Sequence, residues 1–145
     1  GFSLDYTLAR LSGVPPAEPI PDAPAADFLP MLSHGRVLET LRYCVDPGRR
    51  AEFLERMSQV RLVRGRAGAR LWQLYEDVAH PEGWLEIWSM ESWTDHLREA
   101  IRLSPDDRAV LARAAAFQRD GAPLLAARYL AVDPGPRSWR HARNK

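Results

Sequence analysis

The chain has 145 residues, of which 46% are hydrophobic and 27% charged, and its formal net charge is +1 at pH 7. This length and composition are typical of one soluble globular domain, and so small a net charge gives no case for nucleic-acid binding. The single cysteine, Cys44, excludes an internal disulfide. No hydrophobic run approaches the roughly 18–20 residues that a membrane-spanning helix needs.

Residues 1–35 differ from the rest of the chain because proline is concentrated in them. Five prolines fall between residues 14 and 24, and such a segment favours an extended, polyproline-like conformation that cannot pack a core of its own. We therefore predict a linker that lacks regular strands and contributes little to stability. Three aromatic side chains could still attach parts of it to a folded surface: Phe2, Tyr6 and Phe28.

The first strand is predicted over residues 37–45, which are rich in β-forming side chains. Asp46 and Pro47 then indicate a helix start, since aspartate caps well and proline at the first helical position loses no hydrogen bond. Hydrophobic residues at helical spacing continue this helix, namely Phe53, Leu54, Met57 and Val60. Gly65 and Gly68 are predicted to end it.

A hairpin follows, with strands predicted over residues 71–78 and 84–90 and a polar connection that contains proline and glycine. Four of the five tryptophans lie in these strands or just after them, namely Trp72, Trp84, Trp88 and Trp93. Alternate residues point to opposite sides of a strand, and here both sides are largely hydrophobic. We expect helices to cover one side of the hairpin and a second surface to cover the other.

Two capping signatures come after the hairpin. Ser92 is predicted to begin a helix over residues 93–103, and Ser104 to begin a second helix that extends to about residue 117. The last strand is predicted over residues 124–132.

The predicted order is β-α-β-β-α-β within residues 36–132, which is the ferredoxin-like arrangement of the α+β class. Its helices cover one face of the sheet. Because the strands are hydrophobic on both faces, the other face needs a partner, and a symmetric homodimer is the simplest solution. Residues 133–145 are predicted to form a basic tail.

Three stretches carry a resemblance to a known family: YCVDPGRRAEFL at 43–54, LYEDVAHP at 74–81 and ESWTDHL at 91–97. They resemble the soluble C-terminal domain of a bacterial family of major facilitator superfamily transporters, the transmembrane secretion effectors, which include nickel-resistance and enterobactin-exporter-like proteins. The resemblance covers about two-thirds of the chain. It implies the dimeric α+β barrel fold, which antibiotic-biosynthesis monooxygenases and haem-degrading enzymes also use.

The resemblance implies that the chain is the cytosolic C-terminal domain of a membrane exporter, at the cytoplasmic face of the inner membrane. What the domain itself contributes is not implied by the resemblance, and we interpret it as a dimerisation or regulatory domain. Its partners would be a second copy of itself and the transmembrane domain of its own full-length chain. We expect no nucleic-acid partner, no cofactor and no enzymatic activity. Two alternatives remain open: a small cofactor-independent monooxygenase-like or haem-binding enzyme of the same barrel superfamily, and a stand-alone sensor of a small ligand.

His96 is the sharpest candidate for a functional residue. In the barrel superfamily a histidine in this helix can line the cavity, and haem-degrading members use one to ligate iron. Their accompanying asparagine on the first strand is absent, since Glu39, Thr40 and Arg42 occupy that region. With only Asp95 nearby in sequence to orient it, His96 is predicted to be structural, and no catalytic residue is predicted. The possible cavity-lining residues are His96, Trp72, Trp84, Trp88, Trp93 and Tyr43.

Acidic residues of the hairpin offer a possible acid–base pair, because Glu76 and Glu86 could be neighbours across the two strands, where one pKa would rise. The strand end is more often solvated, so this pair is not predicted to be a site. The histidines are scattered without the spacing of metal ligands, and no metal site is expected; they are His34, His80, His96 and His141.

A cluster of basic residues lies between the first helix and the hairpin. It could face anionic lipid headgroups, to which each basic residue near a membrane surface adds about 1 kcal/mol of attraction. Its members are Arg61, Arg64, Arg66 and Arg70.

Overall fold

A computed structural model describes residues 19–27, 35–120 and 122–136, which form a four-stranded sheet with helices against one face. The strands are β1 (Val37–Cys44), β2 (Leu71–Glu76), β3 (Gly83–Met90) and β4 (Leu125–Leu130). The helices are α1 (Arg50–Arg66), α2 (Trp93–Arg102) and α3 (Pro105–Ala115), and a short 3-10 turn at Pro47–Arg49 precedes α1. Within this described part of the chain, no helix combines the length and hydrophobicity needed to cross a membrane.

The sheet has the strand order β2-β3-β1-β4, and all neighbouring strands are antiparallel. The order of elements along the chain is β-α-β-β-α-β, so the predicted ferredoxin-like α+β fold is confirmed. The predicted strands were somewhat too long, because β2 already ends at Glu76 and β4 spans six residues. The central strands β1 and β3 are the most buried ones.

One face of the sheet, the covered face, packs against α1 and the segment around α3. The tryptophans of the hairpin lie on this face. Trp72 is the cross-strand partner of Trp88, Trp84 is the cross-strand partner of Glu76, and cross-strand partners point to the same side of a sheet. The core between this face and the helices is built on α1 residues at helical spacing, namely Phe53, Met57, Val60 and Val63, all of them fully buried. The predicted hydrophobic stripe of the first helix is therefore the one that the fold buries.

The opposite face, which we call the open face, has no helix against it. Large hydrophobic side chains on its edge strands stay about half exposed: Leu71 (46%), Tyr75 (50%), Leu125 (57%) and Tyr129 (56%). Arg42 is the one charged side chain among the strand residues that share this face. A surface so poor in charge is typical of an interface core.

Local hydrogen bonds explain where the helices begin. The Asp46 carboxylate accepts the Gly48 N–H at 3.0 Å ahead of α1. At α3, Ser104 and Asp107 form the complete capping box, with the Ser104 hydroxyl accepting the Asp107 N–H and the Asp107 carboxylate accepting the Ser104 N–H. At α2, Ser92 accepts the N–H of Asp95 at 3.2 Å.

The predicted linker and tail are only partly within the described residues. Residues 19–27 contain no strand, and Pro19 is buried. The aromatic anchors suggested for the linker, Phe2, Tyr6 and Phe28, lie outside the described residues, as do residues 137–145 of the basic tail.

Candidate functional site

The covered face buries two clusters of charged and polar side chains. The first, the Glu86 cluster, consists of Glu86 from β3, Arg64 from α1, Tyr43 from β1 and Trp72 from β2. Arg64 donates to Glu86 from Nε at 2.9 Å and from Nη2 at 3.3 Å. The Tyr43 hydroxyl donates at 3.0 Å and the Trp72 indole at 2.9 Å. Both carboxylate oxygens are therefore satisfied although Glu86 is fully buried.

The second, the Glu39 cluster, consists of Glu39 from β1, Trp88 from β3, His96 and Glu99 from α2, and Arg128 from β4. The Trp88 indole N–H donates to Oε2 of Glu39 at 3.0 Å and to Oε2 of Glu99 at 3.1 Å. Both glutamates are buried, with exposures of 5% and 9%. One nitrogen of His96 and one oxygen of each glutamate lie within 4.8 Å of one another. Two carboxylates and an imidazole thus face each other in the protein interior.

The His96 ring has a different neighbour at each nitrogen. Nε2 lies 2.7 Å from Nη1 of Arg128, and because arginine has no acceptor atom, Nε2 must be the acceptor. The proton of the neutral ring therefore lies on Nδ1. Nδ1 is buried and 3.1 Å from Oε2 of Glu39, yet within the described residues it has no partner that meets the geometry of a hydrogen bond.

Arg128 connects this cluster to the N-terminal segment. Its guanidinium lies 4.8 Å from the centre of the Trp93 ring, a cation–π distance, and its Nη2 donates to the carbonyl oxygen of Asp22 at 2.9 Å. A cavity of about 530 Å³ lies beside Arg128, between residues 22–25 and β4. The segment that was predicted to be a linker thus contributes a wall of the cavity.

Of the predicted cavity-lining residues, Trp93 lines this cavity. Tyr43 and Trp72 belong to the Glu86 cluster, while Trp88 joins the Glu39 cluster. Trp84 packs in the core, with its ring centre 5.3 Å from that of Phe53. Three of the tryptophans thus stabilise the covered face, and the fourth lies at the cavity.

For His96, the prediction that only Asp95 could orient it was wrong, because Glu39 and Arg128 contact its two nitrogens. Sequence reasoning missed both of these residues and Glu99. A signal for Glu99 was present, since residues 96 and 99 are three apart and share one face of a helix. A signal for Glu39 was its position in β1, where the alternation of buried residues directs it to the covered face.

The suggested carboxylate pair of Glu76 and Glu86 does not form. In the hairpin Glu86 lies opposite Leu74 and Glu76 opposite Trp84. At the solvated strand end, Arg50 binds Glu76 with two hydrogen bonds of 2.9 and 3.0 Å. The hydrogen bond from Arg50 holds the pKa of the Glu76 carboxyl below its usual value.

The basic cluster is not a free cationic surface. Arg64 is fully buried in the Glu86 cluster, with its guanidinium 3.7 Å from the Trp88 ring centre. Arg66 binds Asp107 at 2.7 Å, and Arg70 binds Glu91 at 3.2 Å. Arg61 is exposed and lies 5.8 Å from the ring centre of Trp72. The assignment of Arg64 to a lipid-facing surface was therefore wrong, because the buried Glu86 carboxylate requires it.

The sequence was compared with protein-family models and with curated protein sequences. A family model described as "Transmembrane secretion effector" matches residues 14–134. A search of curated protein sequences found no match to the chain.

Solved structures give the fold. A protein named as a candidate antibiotic biosynthesis monooxygenase from Caulobacter crescentus superposes with a TM-score of 0.59 at 13% identity, covering 72% of this chain and 96% of that chain. A protein named in the same way from Bordetella bronchiseptica superposes with a TM-score of 0.57 at 22% identity, covering 68% and 99%. At these identities the likeness shows a shared fold.

Proposed function

Because this chain belongs to the transmembrane secretion effector family, we propose that it is the cytosolic dimerisation or regulatory domain of a major facilitator superfamily exporter. In this proposal the domain sits at the cytoplasmic face of the inner membrane, attached to the transmembrane part of its own chain. It catalyses no reaction by itself. The family and fold predicted from the three sequence stretches are those that the comparisons found, and the transport role is carried over from the family.

The observation that carries the dimerisation role is the open face of the sheet. Its exposed hydrophobic side chains belong to both edge strands, β2 and β4, and between them the central strands place Leu38, Leu85 and Ile87 on the same face. Monomeric soluble proteins rarely expose so continuous a hydrophobic surface. The occupant that we propose is a second copy of the chain, because a two-fold axis would bring the same charge-poor surface onto itself.

Analytical ultracentrifugation tests this proposal. The chain is expected to sediment as a dimer at micromolar concentration. Tyr129→Glu places a charge on the open face and is expected to weaken the dimer by at least about 30-fold, the effect of losing a strong interface residue. The matched control is Leu97→Glu, because Leu97 is as exposed as Tyr129 (57% against 56%) but lies on α2. A monomeric wild-type chain, or equal effects of the two variants, would contradict the proposal.

A second candidate function is a small enzyme of the monooxygenase type. The observation in its favour is the Glu39 cluster, where a half-buried imidazole and two buried carboxylates lie together and Arg128, which contacts the imidazole, lines the cavity. Active sites are often built from such groups beside a cavity. The names of the structural neighbours agree with it, although they describe those proteins and not this one. Aerobic turnover of a quinol-type substrate that is abolished by His96→Gln would favour the enzyme over the transporter domain.

A further inference from the structure

We infer that Glu39, His96 and Glu99 form a binding site for a divalent first-row transition-metal ion. The three side chains come from two elements: Glu39 from β1, and the other two from neighbouring turns of α2. Their potential ligand atoms lie within 4.8 Å of one another. The buried Nδ1 of His96 makes no hydrogen bond within the described residues although it faces this group. This is more typical of a metal-ligating nitrogen than of a histidine that only packs in the core.

The chemistry of the group agrees with such an ion. Imidazole nitrogen with carboxylate oxygen suits zinc, iron, cobalt and manganese, and three protein ligands leave room for a water or substrate ligand. Nδ1 of His96 and Oε2 of Glu39 are 3.1 Å apart. Two atoms at that separation subtend an angle of about 95° at an ion that is roughly 2.1 Å from each of them.

Charge also favours a cation at this place. His96 faces the two buried carboxylates of Glu39 and Glu99, and Arg128 contacts the other nitrogen of its ring. Carboxylate oxygens are common ligands of divalent ions. A divalent ion bound by the three side chains would interact favourably with both carboxylates.

Metal binding and the Arg128 contact exclude each other. An ion on Nδ1 requires the lone pair of that nitrogen, so the proton of the ring moves to Nε2. Nε2–H would then face the Arg128 N–H at 2.7 Å, and two donors cannot share that position. The guanidinium of Arg128 would have to turn away from His96, and the same guanidinium donates to the Asp22 carbonyl through Nη2. The site therefore connects ion binding to the attachment of the N-terminal segment.

The experiment titrates the full chain with Zn²⁺ by calorimetry and with Co²⁺ by visible absorption, which reports nitrogen and oxygen ligation directly. Binding of one ion per chain and a higher melting temperature in its presence are expected. His96→Gln and Glu99→Gln should each weaken binding by at least about 100-fold. Removing a residue that only hydrogen-bonds to a metal ligand costs up to about 100-fold in affinity, and removing the ligand itself should cost at least as much. Arg128→Met should strengthen binding, because it removes the competing contact.

Controls separate this site from other histidines. A triple variant, His34→Gln with His80→Gln and His141→Gln, should bind Zn²⁺ like the wild type. The proposal is overturned if the wild type neither binds the ions nor gains stability at millimolar concentration, a result that needs no variant to fold. It is also overturned if the triple variant loses binding, or if Glu99→Gln binds normally. Weaker binding by a folded Arg128→Met variant would overturn the proposed exclusion between Arg128 and the ion.

Discussion

Glu86 shows what a buried charge needs in this protein. Its two oxygens receive hydrogen bonds from Arg64, Tyr43 and Trp72, which come from α1, β1 and β2. The carboxylate thereby joins three elements of the covered face at one point. Such a group stabilises the fold only while all of its partners are present, because an unpaired buried charge costs more than the pair gains.

Removing this carboxylate is therefore expected to be severe. Glu86→Ala should lower the free energy of unfolding by about 3–5 kcal/mol, because it breaks the buried ion pair with Arg64. Urea unfolding followed by tryptophan fluorescence measures this loss. Glu76→Ala is the matched control, since it removes an exposed strand carboxylate that also binds an arginine, and its effect should be much smaller. Similar losses for the two variants would contradict the role assigned to the Glu86 cluster.

Asp107 gives a pH-dependent prediction. The hydrogen bond from Arg66, followed by that from the Ser104 N–H, lowers the pKa of Asp107 from its usual value of 3.8. A lowered pKa in the folded state means that the ionised group stabilises the fold above pH 3.8 and that this contribution is lost as the pH falls through the lowered value. The wild type should therefore be more stable than Asp107→Asn at neutral pH.

The difference in the free energy of unfolding between the wild type and Asp107→Asn should narrow below pH 3.8, because the Asp107 carboxyl of the folded wild type then also becomes protonated. Urea midpoints measured from neutral to strongly acidic pH would show it. A difference that stays constant over the whole range would mean that the hydrogen-bond geometry of the capping box, and not the charge of Asp107, provides the stability.

At the scale of elements, the end of α1 depends on one glycine. Gly68 has φ of +112°, and a Cβ atom there would collide with the guanidinium of Arg102, which donates to the carbonyl of Ala67 at 3.0 Å. Gly68→Ala should lower the free energy of unfolding by about 1–3 kcal/mol. Gly65→Ala is the control, since an added Cβ meets nothing within 4 Å, and in a helix it should stabilise by about 0.5–1 kcal/mol. Thermal unfolding of both variants tests the prediction, and a neutral Gly68→Ala would contradict it.

The elements themselves could be predicted because their signals are local. Caps such as Ser104 with Asp107, and alternation in the hairpin, need only neighbouring residues. The Glu39 cluster could not be predicted in this way. Its contacts join residues 49 positions apart in Glu39 and Trp88, and 32 positions apart in His96 and Arg128. Which side chains meet there depends on the pairing of β1 with β3 and β4, which no local pattern determines.

For the whole molecule, the open face leads to a prediction about how stability depends on protein concentration. If the folded chain associates through that face, the melting temperature should rise with protein concentration, because association stabilises the folded state by mass action. Scanning calorimetry over a hundredfold concentration range tests this. Tyr129→Glu should remove the dependence, while Leu97→Glu should retain it. A wild-type melting temperature that does not change with concentration would contradict association.

Because both faces of the sheet are hydrophobic, hydrophobicity alone does not determine the register in which the strands pair. A shift of β3 by one residue would turn Leu85 and Ile87 to the inside and Trp84 and Glu86 to the outside. Hydrophobicity alone hardly opposes this shift, because either set can be buried. Glu86 does oppose it, since the shift would break its buried ion pair with Arg64. We expect the buried ion pair to select among strand pairings that would otherwise be close in energy.

Replacing the pair tests that expectation. The double variant Arg64→Met with Glu86→Leu removes both charges, so it should remain folded and lose far less stability than Glu86→Ala. Its amide NMR spectrum should nevertheless show broadened or doubled signals from β2 and β3, as alternative pairings become populated. A single sharp set of signals would mean that the hydrophobic residues and the turn select the pairing without help, and that the two charges serve only to satisfy each other.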